Sequence, residues 1–74
     1  MDTKRLSFLI SSYNLTLGGF RRLFDIDERR ARRMLKGDVP IPNSIAIAFE
    51  LMHRHGYTPA QAYFMATGSN DFEG

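Results

Sequence analysis

The stretch Asp25–Lys36, DIDERRARRMLK, narrows what this chain can fold into more than any other part of it. At the roughly 100° per residue of an α-helix its side chains separate by chemistry. Ala31, Met34 and Leu35 gather on one side; Arg29, Arg32, Arg33 and Lys36 gather on the other, with Glu28 and Arg30 at the edges. Both ends are marked. Asp27 can cap the first turn by accepting from a free backbone N–H, and Glu28 suits the positive end of the helix. Gly37 can take the left-handed conformation that closes a helix, with Lys36 near the negative end. The remaining residues therefore read as the scaffold for this helix's apolar back, and its cationic front suits a polyanion.

The chain has 74 residues and no cysteine, so disulfides and thiolate metal sites are excluded. A core of this size supplies only about 3–5 kcal/mol, and small domains usually add a disulfide, a metal or a partner subunit. Association is the supplement left open. No apolar run has the length of a membrane span, and the N-terminal residues lack the apolar core of a signal peptide. A cytoplasmic location is expected. The formal net charge of +2 hides an asymmetry: Arg21 to Lys36 holds seven cations against three acids, which is +4 there and −2 over the rest. Local concentration of positive charge is the footprint of a nucleic-acid binder.

Five helices and no strands are expected, with no repeats. Leu6, Leu9, Ile10 and Tyr13 recur at i, i+3, i+4 and i+7, the stripe of a first helix from about Thr3 to Tyr13 that Asn14 can end. Phe8 lies off that stripe, either as a lone surface aromatic or as part of a second interface. Thr16 is the N-cap expected for a second helix, with Leu15 and Phe20 at the spacing of a hydrophobic staple. Leu17, Phe20, Leu23 and Phe24 supply its core side. Gly18 and Gly19 cost about 1 kcal/mol each inside a helix. Two reasons compete for them: close packing against a neighbouring helix, or a bare helix N-terminus whose N–H groups approach a phosphate.

Asp25-Ile26-Asp27 breaks the second helix from the basic one. Aspartate tolerates the left-handed conformation, so a tight turn at Asp25 is feasible, with Ile26 plugging the corner. Two short helices joined in this way form a helix-turn-helix unit. Pro40 and Pro42 then forbid helix interior. A fourth helix starts near Pro42–Ser44 and runs to His55, closed by Gly56. It has Ile45, Ala48, Phe49 and Met52 on one apolar face and Ile47 and Leu51 on another. Thr58-Pro-Ala-Gln61 is a capping box with proline at the first helical position. The fifth helix ends near Thr67-Gly68, with Ala60, Tyr63 and Phe64 as its stripe. Residues 1–68 read as one domain, and 69–74 as a flexible polar tail that frays.

From Leu15 to Gly37, LTLGGFRRLFDIDERRARRMLKG, followed by VPIPNSIAIAFELM, the chain resembles the helix-turn-helix family of small phage repressors of the lambda Cro and repressor type. Within that family it is most similar to the short anti-CRISPR-associated (Aca) repressors, which are dimeric. The resemblance implies base reading by Glu28, Arg29, Arg32 and Arg33, a phosphate contact at Thr16, and core positions at Phe20, Phe24, Ile26, Ala31 and Leu35. Arg21 and Asp25 depart from the family, which usually has a small alanine and a glycine there. The first departure bears on the packing angle of the two helices.

A charge cluster is most often a solvated face, but one-sided clustering behind a turn is not usual. Arginine can grip the O6 and N7 of guanine with two hydrogen bonds, worth about 1–3 kcal/mol of discrimination. Arg29, Arg32 and Arg33 are thus the candidates for base edges. Glu28 either accepts from a cytosine amino group or orients Arg32 at i+4. Arg22, Arg30 and Lys36 suit phosphates, which position without specifying. His53 and His55 are two apart and form no i, i+4 metal pair, and no serine or carboxylate is tied to either by spacing. Neither an enzyme, a cofactor, a metal site nor a small-molecule ligand is expected.

The expected function is therefore a homodimeric repressor that reads an inverted-repeat operator on double-stranded DNA, by resemblance the autoregulator of an anti-CRISPR or similar phage operon. Its dimer contact would use Ile47, Leu51, Tyr63, Phe64 and Met65. Two alternatives stand beside it: an antitoxin-like protein-interaction subunit using the apolar fourth and fifth helices, and a DNA-bending accessory factor such as an excisionase.

Overall fold

Side-chain caps decide where four of the helices begin. In a computed structural model describing residues 1–74, the chain forms α1 (Thr3–Ser12), α2 (Leu17–Phe24), α3 (Glu28–Lys36), α4 (Asn43–His55) and α5 (Pro59–Thr67), with no strand. Each cap is an oxygen accepting from a backbone N–H that has no partner inside its helix. Asp2 accepts from Arg5 at 2.8 Å, Thr16 from Gly19 at 2.9 Å, Asp27 from Arg30 at 2.7 Å and Thr58 from Gln61 at 3.1 Å. The Gln61 side chain returns the bond to the Thr58 N–H at 2.9 Å, which completes the capping box. Only α4 starts without a side-chain cap, directly after Pro42.

Reversals follow the residues suited to them. Asn14 and Asp25 take left-handed conformations at φ 55° and 54°, and Gly37 closes α3 at φ 82°. Asp25 turns α2 into α3 within three residues, its N–H donating to the Arg21 carbonyl, and the Ile26 N–H donates to the same carbonyl at 3.0 Å. Ile26 is half-buried against the core, as the corner requires. The expected helix-turn-helix unit is present.

The core is built by α1 to α4. Leu6, Leu9, Phe20, Ala31, Met34 and Phe49 have no exposure, and Ile45 and Met52 almost none. Phe49 is the hub of its rings: Tyr13 stacks at 5.7 Å between centroids, Phe20 lies at 6.2 Å, and Phe24 meets it edge-on at 5.2 Å. Arg5 clamps α1 to α4 through two hydrogen bonds to Glu50, at 2.8 and 2.7 Å. That bonding holds the Glu50 carboxyl below its ordinary range. Its contribution is present above that range and is lost as pH falls through the lowered value.

Two expectations need correction. The stripe Ala60, Tyr63 and Phe64 does not face the core; Pro59 is the buried residue of α5, and Ala62 packs half-buried beside it. Apolar residues surround this helix, so periodicity alone cannot choose its inner face. Residues 69–74 do not fray outward. They fold back over the start of α2, where the Thr16 N–H donates to the Gly74 carbonyl at 2.7 Å.

One core group lacks a protein partner. The Tyr13 hydroxyl is buried without a hydrogen bond, and burial raises its pKa. A buried unsatisfied polar group costs about 1–3 kcal/mol. Tyr13→Phe is expected to raise the unfolding free energy by about 1 kcal/mol in denaturant titration. A loss of stability would mean that the hydroxyl has a partner in solution.

Candidate nucleic-acid interface

The basic face rests on α3, whose back is anchored by Ala31 and Met34 with Leu35 half-buried beside them. With that side fixed in the core, Glu28, Arg29, Arg30, Arg32, Arg33 and Lys36 are all exposed. The helix is capped at both ends, by Asp27 and by Gly37, whose N–H donates toward the Arg33 and Met34 carbonyls. Its side chains therefore project from a stiff support, which suits contacts that must hold one register on a partner.

Most of these cations have nothing to neutralise them. The chain's two ion pairs are Arg5–Glu50 and Arg32–Glu28. The second spans 3.6 Å between side chains that are 59% and 58% exposed, which is an ion pair without hydrogen-bond geometry. Exposed pairs of this kind contribute little. Of the two roles open to Glu28, orienting Arg32 is the one with a contact in the structure. Arg29, Arg30, Arg33 and Lys36 have no carboxylate partner within the chain.

The positions on α2 behave differently. The Thr16 hydroxyl accepts from the Gly19 N–H and donates to the Gly74 carbonyl at 2.8 Å, and Arg22 donates to the Asp71 carbonyl at 3.1 Å. Both positions expected to meet phosphates carry bonds within the chain in this conformation, Thr16 through its N–H and hydroxyl and Arg22 through one guanidinium nitrogen. Gly19 is explained in a way that neither expectation named. A Cβ there would run into the Gly74 backbone, with its carbonyl carbon at 2.7 Å, whereas one on Gly18 would meet only the Thr16 hydroxyl, at 3.7 Å. The close neighbour of Gly19 is the C-terminal segment. Arg21, the departure from the family pattern, is half-buried, its guanidinium 3.5 Å from the Ile26 carbonyl. It braces the turn.

On α4 and α5 several apolar positions remain uncovered. Ile47 is 60% exposed and Met65 66%, with Leu51 and Phe64 close to half. Tyr63 is the exception, half-buried with its ring 5.1 Å from that of Phe72. Between α2, α4 and α5 lies an open groove of about 1000 Å³, lined by Leu23, Phe24, Ala48, Leu51, Tyr63 and Met65 among others. The second apolar face read on α4 contributes Leu51 to it, and the fold brings the other lining residues of α2 and α5 alongside. Phe8 is 52% exposed on α1, edge-on to His53, with Arg5 above its ring. His53 thus packs against aromatics, while His55 lines the groove. No helix is long and apolar enough to cross a membrane.

Comparison with protein-family models, with curated proteins and with solved structures finds no match, so the role of this surface has to be read from its own residues.

Proposed function

We propose that the chain is a sequence-specific DNA-binding regulator, a homodimeric repressor whose α3 helices enter the major groove at two half-sites of an inverted repeat. The observation that carries this reading is the row of exposed cations on α3, unpaired within the chain except for Arg32, on a helix whose other side is locked into the core. Arg29 and Arg33 read base edges, Arg32 does so with Glu28 setting its direction, and Arg30 and Lys36 hold phosphates. The resemblance to small phage repressors supports the same reading, including autoregulation of an anti-CRISPR or similar operon from the cytoplasm. One α3 contacts only a few base pairs, and two-fold symmetry doubles that footprint.

The second copy covers Ile47, Leu51, Phe64 and Met65. An apolar surface of this kind on a small domain marks an association site, and the limited core gives association a stabilising role. Leu51→Glu places a charge in that contact without touching the buried face of α4. In sedimentation it is expected to convert a dimer into a monomer at micromolar concentration. Operator affinity should fall at least about tenfold, because the second half-site is no longer held at high effective concentration. A variant that stays dimeric would place the interface elsewhere.

The same exposed side chains support the reading as an antitoxin-like protein-interaction subunit. Salt separates the two. Binding through several phosphates weakens steeply as salt rises, and an apolar protein contact does not. Fluorescence anisotropy on duplex DNA between about 50 and 200 mM salt makes the distinction.

A further inference from the structure

The segment that follows α5 is held by bonds of several kinds. Gly68 closes α5, the Thr67 hydroxyl accepts from the Ser69 N–H, and the Ser69 hydroxyl accepts from the Asp71 N–H, both at 3.1 Å. These two local bonds turn the chain back toward α2. Phe72 then anchors it, with the Tyr63 ring 5.1 Å away and the Arg22 guanidinium 5.8 Å from its ring centre. The Asp71 carbonyl takes the Arg22 guanidinium. The Gly74 carbonyl takes both the N–H and the hydroxyl of Thr16. Gly19 leaves the space in which Gly74 sits.

The donors engaged in this way are the backbone and side chain of Thr16 and the side chain of Arg22, the groups on α2 suited to DNA phosphates. The segment also carries Asp71 and Glu73, so it brings negative charge to a basic region. We propose that residues 69–74 act as an autoinhibitory strap, a built-in competitor for the DNA backbone that has to leave α2 before Thr16 and Arg22 can reach phosphates. This rests on the DNA-binding reading above. The Asp71 carbonyl carries only a partial charge and a phosphate a full one, so DNA draws Arg22 away from the strap and its affinity is reduced by the displacement. The strap thereby sets the threshold concentration at which an operator fills.

The glycine pair supplies the test. Gly19→Ala expels the strap, because its Cβ would collide with strap backbone. Gly18→Ala gives the same gain in helix propensity and leaves the strap in place. In anisotropy titrations of duplex DNA across a salt series, Gly19→Ala is expected to bind about three- to tenfold more tightly than the unsubstituted chain. Its salt slope should be steeper by about one, from the phosphate that Arg22 neutralises, because Thr16 is neutral and adds affinity without adding to the slope. Gly18→Ala should match the unsubstituted chain. Amide exchange at Thr16 reports the strap itself: slow in the unsubstituted chain and in Gly18→Ala, fast in Gly19→Ala. Gly19→Ala with unchanged or weaker binding and an unchanged slope would overturn the strap while leaving the DNA reading intact. So would an unprotected Thr16 amide in the unsubstituted chain. If none of the three proteins binds duplex DNA even at low salt, the DNA reading fails and the strap fails with it.

Discussion

Phe49→Ala is expected to leave the chain unfolded at 25 °C. Phe49 has no exposure, and its ring meets those of Tyr13, which follows the last residue of α1, and of Phe20 and Phe24 on α2. Truncating a buried phenylalanine costs about 3–5 kcal/mol, through lost transfer free energy and the cavity left behind. The core of a domain this size supplies about 3–5 kcal/mol, so one substitution consumes what the core contributes. Far-UV circular dichroism and urea titration read the outcome. Phe8→Ala is the matched control: the same atoms are removed from a side chain 52% exposed, and the chain should stay folded. If Phe49→Ala folds with a loss under about 2 kcal/mol, the aromatic cluster is not what joins α1, α2 and α4.

Arg29→Ala and Arg33→Ala should each weaken operator binding by about 1–3 kcal/mol, roughly 5- to 150-fold, and relax sequence preference at one position of each half-site. Both side chains are exposed and free of carboxylate partners, so nothing within the chain competes with a base for them. Arg30→Ala and Lys36→Ala should behave differently, lowering affinity for all sequences alike and reducing the salt slope by about one each. Arg32→Ala should also relax preference at one position, since its exposed pair with Glu28 contributes little and leaves the guanidinium available. Competition titrations against operators substituted one base pair at a time separate these classes. Unchanged preference in Arg33→Ala would remove it from the base-reading set.

What depends on neighbours within a turn or two is legible in the residues. Thr16, Asp27 and Thr58 cap the helices assigned to them, and Asp25 reverses the chain between α2 and α3. The basic face was equally open to reading, since Ala31 and Met34 alone decide which side of α3 is buried. What depends on distant partners was not. Gly19 invited two explanations, a neighbouring helix and a phosphate, yet its neighbour is Gly74, bonded to Thr16 across 58 positions of sequence. Arg5 and Glu50, 45 positions apart, carry no pattern that would pair them. The orientation of α5 was hidden for another reason. Ala60, Ala62, Tyr63, Phe64, Met65 and Ala66 leave no polar side to define an inner one, so packing of Pro59 and Ala62 against the core selects the face.

The central claim, that α3 reads DNA sequence as one half of a symmetric pair, is tested most directly by selecting bound sequences from a random duplex pool at about 150 mM salt, where nonspecific binding is suppressed. Enrichment of an inverted repeat with half-sites about one helical turn apart is the expected result. No enrichment, with only weak binding that disappears as salt rises, would contradict it and reduce the arginines of α3 to a solvated face.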